Sequence, residues 1–220
     1  MSKLVQFGED VEGYNIKVLN EREIRAAAGL LFLATFISFM FIMFKGNFLS
    51  FKYVIIFFFT DFLIRVFINP KFSPSLIMGR LIIRNQNPEY VGAKQKKFAW
   101  IIGVVLSGTI FVFFIIVNAF SPITGIICLI CLIFLFFESA FGICLGCAVY
   151  KLFNKGKVQY CQGKCVKKMQ NKRFKKHLPL SYSIVLLFIV YIIATVTLFN
   201  EKFKEKPYNL FGIFGNEQSK

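Results

Sequence analysis

Six cysteines are the residues whose type and spacing point most directly to chemistry. They form three close pairs, Cys128 with Cys131, Cys144 with Cys147, and Cys161 with Cys165. In a Cys-x-x-Cys helical turn both sulfurs face the same side and can bridge, and the environment of such a motif can favour the reactive thiolate. The pattern is also compatible with a metal site or with packing, so its surroundings must decide among the three.

Two chemical interpretations share four of these cysteines. In the first, Cys144 and Cys147 exchange with Cys161 and Cys165, passing electrons or a sulfane sulfur when a thiolate attacks a disulfide or persulfide. In the second, the same four residues form a C-x2-C-x13-C-x3-C pattern that resembles a zinc or iron–sulfur site. His177, the only histidine, is a spare ligand for that site.

Packing between helices is the third interpretation, and it is favoured for Cys128 and Cys131 because free cysteines are often buried as small apolar residues. About 13 residues, or roughly 20 Å of helix, separate Cys131 from Cys144. Sulfurs that far apart cannot exchange directly. A relay across the membrane would therefore need another carrier, such as a quinone.

Charged residues within apolar segments form a second set of candidates. Asp61 and Arg65 are four residues apart and therefore share one helix face. They form either a structural ion pair or part of a substrate path, with the ion pair favoured. Glu138 has no basic neighbour within one turn, so we expect a partner on another helix, with Arg65 and Arg25 as candidates. Glu138 is also a candidate proton acceptor in catalysis.

The elements that position these residues are predicted to be membrane-spanning helices. The chain has 220 residues, of which 56% are hydrophobic and 17% charged, and typical soluble domains are about 25% charged. A spanning helix needs about 20 apolar residues. The fold class is therefore all-α, a polytopic helical bundle with about five spans: 26–44, 53–68, 98–120, a segment from 122 that could run as one helix to about Phe153, and 181–199.

Lys and Arg residues predict the orientation of the bundle. With five crossings, twenty of them fall on one side and six on the other, so the basic side, with the N-terminus, should be cytoplasmic and the C-terminus outside. A helix starting near Pro122 then places Cys144 roughly 33 Å further along, at the cytoplasmic interface. The segment near 73–84 is too short to span, and Ser73 and Pro74 favour a helix start there. We expect a short interfacial helix.

Composition also bears on partners. The formal net charge is +16, but the basic loops lie beside the membrane, where anionic headgroups attract them. The lipid bilayer is therefore the expected partner, and nucleic-acid binding is not expected. The cytosol is reducing, so the cytoplasmic cysteine pairs are not expected to be permanent structural disulfides.

Several motifs resemble those of a bacterial integral membrane family known as domain of unknown function 4395. The resemblance covers about 20–150 and is most specific in its last motif. Its residues are Asn20, Arg25, Asp61, Arg65, Ser73-Pro74, Lys97-Phe98-Ala99, Gly103, Glu138, Gly142, Cys144, Gly146, Cys147 and Tyr150. The resemblance implies a bacterial inner membrane protein and a role beside a thioredoxin-like or sulfurtransferase protein.

The sequence thus predicts a polar cytoplasmic N-terminus (1–24), a four-helix core (25–153), a basic cytoplasmic loop (154–180), a fifth helix (181–199) and a polar tail (200–220). The favoured function is thiol–disulfide or sulfane-sulfur chemistry at a cytoplasm-facing dithiol. One alternative is a small transporter or channel-like scaffold, for instance for a sulfur species, with Asp61, Arg65 and Glu138 along the path. The other is a structural four-cysteine metal site in a protein without turnover.

Overall fold

The fold is a helical bundle. The computed structural model describes residues 7–11, 14–153, 178–204 and 207–209. Within them, seven α-helices run in order: α1 Glu21–Lys45, α2 Leu49–Leu63, α3 Pro74–Ile82, α4 Ala93–Phe111, α5 Pro122–Phe136, α6 Leu145–Phe153 and α7 Leu178–Lys204. Three π-helical segments directly continue α2, α4 and α5: Ile64–Ile68, Val112–Ile116 and Phe137–Phe141. A 3-10 turn, Pro70–Phe72, precedes α3.

The predicted all-helical class is confirmed, and part of the predicted set of apolar spans is observed. Three helices of the described residues are long and apolar enough to cross a bilayer: Glu21–Lys45, Ala93–Ile116 and Pro122–Phe141. The apolar part of α7, Ser183–Leu198, is shorter, and α2 with its π-helical continuation carries Lys52, Asp61 and Arg65. By length and composition, three helices of the described residues qualify as membrane spans, whereas the sequence analysis predicted five.

Short strand pairs join distant parts of the chain at the two ends of the bundle. At one end, β1 (Val18–Asn20) pairs antiparallel with β2 (Tyr90–Gly92), which places the start of α1 beside the start of α4. At the other end, β3 (Ala119–Phe120) pairs in parallel with β4 (Tyr208–Asn209). We call the first of these the β1–β2 end. Helices α3 and α6 also lie at this end, because α3 packs near the start of α1 and α6 packs near the start of α4.

The prediction of one continuous helix from Pro122 to about Phe153 is wrong. The π-helical segment after α5 ends at Gly142, which has a left-handed φ of 66°. Left-handed residues end helices, and glycine adopts this conformation without a steric penalty. The chain then restarts as α6 at Leu145, so the Cys-x-x-Cys motif lies at a helix start and not inside a long helix.

The predicted helix start at Ser73 is observed in α3. The Ser73 hydroxyl caps the helix by accepting from the backbone N–H of Leu76, and Pro74 is the first helical residue. Apolar residues on one side of α3, including Leu76 and Ile77, are buried, whereas Met78 and Ile82 are exposed. One face of α3 therefore packs on the bundle while the other remains open.

Cys128 and Cys131 lie within the bundle core, where they pack with apolar side chains of several helices. Their cluster also contains Ile42, Phe51, Ile55, Ile110, Phe114 and Leu132. Both sulfurs are at most 7% exposed. This environment is that of packing residues.

Helix α3 approaches α1 closely at Gly79. A Cβ atom at this position would lie 2.6 Å from the Glu23 carbonyl oxygen and 3.0 Å from the Ala27 backbone nitrogen. Backbone atoms cannot move aside as a flexible side chain can. Glycine is therefore required for this contact between α3 and α1.

Replacing Gly79 by Ala should destabilise the protein by roughly 1–3 kcal/mol, because the added methyl group overpacks the contact with α1. The matched control is Gly125→Ala in α5, where a Cβ would meet nothing within 4 Å and the change should be neutral or slightly stabilising. Unfolding by sodium dodecyl sulfate in mixed micelles, followed by circular dichroism, measures both. Equal stability of the two variants would contradict the close contact.

Candidate functional site: a dithiol beside a buried ion-pair cluster

Cys144 and Cys147 form a compact dithiol at the start of α6. Cys144 immediately precedes the helix, and its Sγ accepts a hydrogen bond from the backbone N–H of Cys147 at 3.3 Å. The Cys147 thiol is hydrogen-bonded to Cys144 as well. Cys144 thus takes the position of a helix cap, where the partial positive charge of the helix start favours negative charge on the sulfur.

The two sulfurs differ in accessibility. Cys144 is 4% exposed, whereas Cys147 is partly exposed. The hydrogen bond to Cys144, together with burial, raises the pKa of the Cys147 thiol above its usual range.

Close backbone contacts fix the dithiol against α4 and α1. A Cβ at Gly146 would lie 2.6 Å from the Ala99 Cβ, so α6 packs directly on α4. A Cβ at Gly142 would lie 3.0 Å from the Arg25 guanidinium carbon, so the turn before Cys144 packs on an α1 side chain. The two glycines of the motif thus allow a close approach that any larger residue would prevent.

Lys96 of α4 organises the charges beside the dithiol. Its ammonium lies 2.9 Å from a Glu21 carboxylate oxygen and 2.8 Å from a Glu138 carboxylate oxygen. The side chains of Lys96 and Glu21 are at most 4% exposed, and that of Glu138 is 15% exposed. The Lys96 ammonium also lies within electrostatic reach of both sulfurs. We call Glu21, Lys96 and Glu138 the Lys96 cluster.

Glu138 has a partner on another helix, as expected, but the identity of that partner was predicted wrongly. The partner is Lys96, not Arg65 or Arg25. Arg65 is held in a separate ion pair, and Arg25 packs against Gly142. Glu138 itself lies in the π-helical segment, one short turn before the break that leads to Cys144.

Asp61 and Arg65 form a second buried cluster, with the serines that surround Pro74. Arg65 Nη2 lies 2.8 Å from an Asp61 carboxylate oxygen, and the two side chains are 2% and 0% exposed. The hydroxyls of Ser73 and Ser75 donate to Asp61 at 2.7 and 2.5 Å, and the Ser75 backbone N–H donates as well. This arrangement ties the end of α2 to the start of α3.

The guanidinium of Arg65 also lies against two aromatic rings. It is 4.7 Å from the ring centre of Phe62 and 5.3 Å from that of Trp100. Both charges of the pair thus have partners on several sides, as buried charges require. These contacts are those of a structural ion pair, the interpretation that the sequence analysis favoured.

Sequence reasoning missed two of the residues that surround the dithiol. Neither Lys96 nor Glu21 was a candidate in the sequence analysis. No local pattern marks their pairing, since 75 residues separate Lys96 from Glu21 and 42 separate it from Glu138. The one available signal was Glu138 itself, which had to find a cation somewhere in the bundle.

Three other candidate residues, Cys161, Cys165 and His177, lie outside the described residues. Within the described ranges, no group of three or more His, Cys, Asp or Glu side chains is arranged to hold a metal ion. Cys144 and Cys147 supply two sulfurs, so the zinc or iron–sulfur interpretation depends on Cys161 and Cys165. Exchange between the two pairs depends on the same two residues.

Comparison with known families decides the membership of the chain. A family model described as Domain of unknown function (DUF4395) matches residues 19–155, more than half of the chain. The chain belongs to this family. The DUF4395 match includes α1 to α6, and with them the Lys96 cluster and the dithiol, while α7 lies beyond it. No curated protein and no solved structure matches the chain.

Replacing Arg65 by Met should destabilise the protein by about 3–5 kcal/mol, because it leaves the Asp61 carboxylate buried without its cation. The matched control is Lys71→Met, which removes a cation whose ion pair with Glu9 is about half exposed. Such exposed pairs contribute about 1 kcal/mol or less. Unfolding in mixed micelles compares the two, and a similarly small loss for both variants would contradict the structural role of Arg65.

Proposed function

We propose that this protein is an integral membrane protein whose Cys144–Cys147 dithiol, facing the cytoplasm, carries out thiol–disulfide or sulfane-sulfur exchange. The observation that carries this proposal is the placement of Cys144 at the start of α6, with its sulfur accepting from the Cys147 backbone and lying near Lys96. A helix start and a nearby cation are the two features that make a cysteine sulfur reactive.

The chemistry needs two sulfurs that can bond to each other and separate again. Cys144 and Cys147 are three residues apart at the start of α6, and the Cys147 thiol is hydrogen-bonded to Cys144. A thiolate that attacks a disulfide or persulfide forms a mixed intermediate, and a second sulfur nearby releases it. Cys161 and Cys165 are candidate second partners for that exchange. Glu138, the most exposed member of the Lys96 cluster, is the candidate proton acceptor.

The proposed topology has five spans, with α2 and α7 crossing beside the three long apolar helices. Continuation of α2 as the segment Ile64–Ile68 makes it long enough, and its charges have buried partners. In the sequence, five crossings divide the flanking Lys and Arg residues twenty to six, and this count would make the β1–β2 end cytoplasmic and place the C-terminus outside. The membrane would be the bacterial inner membrane.

The transporter alternative is less well supported by the contacts. Asp61 and Arg65 are saturated by each other and by serines, and Glu138 is held by Lys96. A substrate path needs polar groups that can exchange partners, whereas these are fixed. Thiol chemistry therefore uses the residues that the fold leaves available, and a thioredoxin-like or sulfurtransferase protein is the proposed partner.

The proposal can be tested on the purified protein in detergent, equilibrated with glutathione buffers of graded redox ratio. We expect one internal disulfide to form reversibly between Cys144 and Cys147, because the two sulfurs are already in contact. After acid quench and alkylation, intact-protein and peptide mass spectrometry count and locate it. Replacing either Cys144 or Cys147 by Ser should abolish this disulfide.

The matched control is the Cys128→Ser, Cys131→Ser double variant, whose altered residues lie in the apolar core. It should form the Cys144–Cys147 disulfide like the unaltered protein. Circular dichroism verifies that each variant retains its helices, and serine is a good helix-capping residue at position 144. The proposal fails if Cys144 and Cys147 remain alkylatable at every redox ratio in folded protein.

A further inference from the structure

We propose that the two sulfurs have fixed and unequal roles: Cys147 is the sulfur that bonds covalently to the incoming partner, and Cys144 is the buried sulfur that leaves and later resolves the intermediate. This inference rests on the proposed function, since it assigns roles within the same dithiol. It follows from the burial of each sulfur and from the groups around Cys144.

The two cysteines differ in how easily an incoming thiolate can reach them. A partner sulfur must approach in line with the bond that it breaks, so the attacked sulfur must be reachable from outside. Cys144 is 4% exposed and lies where α6 packs on α4, while Cys147 is partly exposed. Gly146 packs against Ala99 on the buried side, which closes approach from α4. An incoming thiolate can therefore reach Cys147 first.

The surroundings of Cys144 also suit it to carry the negative charge of a leaving sulfur. When a thiolate attacks the sulfur of Cys147, the bond to Cys144 breaks, and the electron pair of that bond remains on Cys144. The backbone N–H of Cys147 points at this sulfur, and the Lys96 ammonium lies within reach. Both favour negative charge on Cys144. Cys144 is thus the sulfur that receives a backbone hydrogen bond at the start of a helix, and both features stabilise the charge that it carries as it leaves.

The raised pKa of the Cys147 thiol agrees with this order, because a thiol of high pKa is the poorer leaving group. The complete step joins the partner sulfur to Cys147 and breaks the Cys144–Cys147 bond. One negative charge moves from the partner thiolate to Cys144, and no electrons are gained or lost overall. Attack by Cys144 on the mixed disulfide reverses the step, whereas a second partner thiolate completes reduction of the dithiol.

The charged groups around the leaving sulfur come from three elements. Lys96 is on α4, Glu138 is in the π-helical segment before Gly142, and Glu21 is at the start of α1. The two carboxylates hold the ammonium on both sides and keep it beside the dithiol. Lys96 is therefore a positioning residue in this assignment, since it acts on the reaction through Cys144.

The test begins with the oxidised protein in a background in which Cys161 and Cys165 are replaced by Ser. A short pulse of glutathione, acid quench and alkylation should leave glutathione on Cys147 and the alkylating group on Cys144. Peptide mass spectrometry assigns both. Glutathione found on Cys144, with Cys147 alkylated, would overturn the assignment.

Single variants give an independent readout that does not require the internal disulfide. In the same background, folded Cys144→Ser protein exposes Cys147 to glutathione disulfide, and folded Cys147→Ser protein exposes Cys144. Glutathione disulfide must reach the sulfur that it joins, so the partly exposed Cys147 should form the mixed disulfide about tenfold faster or more than the 4% exposed Cys144. Equal rates, or a faster Cys144, would overturn the inference.

The glutathione pulse and the single-variant rates together distinguish failure of this inference from failure of the proposed function. An unaltered protein that forms the internal disulfide but carries glutathione on Cys144 keeps the proposed function and loses the order of attack. A protein that never forms the internal disulfide loses the proposed function, and the variant rates then decide the order of reactivity alone.

Discussion

A single buried ammonium group joins the parts of the chain on which the candidate site depends. Lys96 contacts carboxylates from the start of α1 and from the π-helical segment after α5, and it lies beside the Cys144–Cys147 turn. A buried cation without its carboxylates would cost several kcal/mol. The start of α1, the start of α4 and the end of α5 must therefore meet at one end of the bundle, and the turn that leads to α6 is placed beside them.

The rest of that end is shaped by residues that allow close approach. Gly142 ends the helical path, and its lack of a side chain makes room for Arg25; Gly146 lets α6 lie directly on Ala99. The Asp61–Arg65 pair joins the end of α2 to the start of α3, because serine hydroxyls at the start of α3 donate hydrogen bonds to Asp61. Buried ionic groups thus join helices in one cluster and lie beside the Cys144–Cys147 dithiol in the other.

The sequence was most informative where local patterns determine structure. The capping role of Ser73 with Pro74 followed from their order, and the apolar runs indicated a helical membrane protein. The break at Gly142 was missed because apolar residues continue on both sides of it. Lys96 was missed because its partners are distant in the chain, so only the folded bundle shows that Glu138 and Glu21 meet it. A local pattern can single out a pair of cysteines, but not the charged side chains that surround it.

The central claim is that Cys144 and Cys147 undergo sulfur chemistry in the cell. The most direct measurement is intact-protein and peptide mass spectrometry of protein acid-trapped and alkylated from growing cells, with metal content determined on the same preparation. We expect a fraction of the protein in which Cys144 or Cys147 carries a disulfide or an added sulfur atom, while Cys128 and Cys131 are unmodified thiols. Fully alkylated Cys144 and Cys147 in every growth condition, with or without stoichiometric zinc or iron, would contradict it.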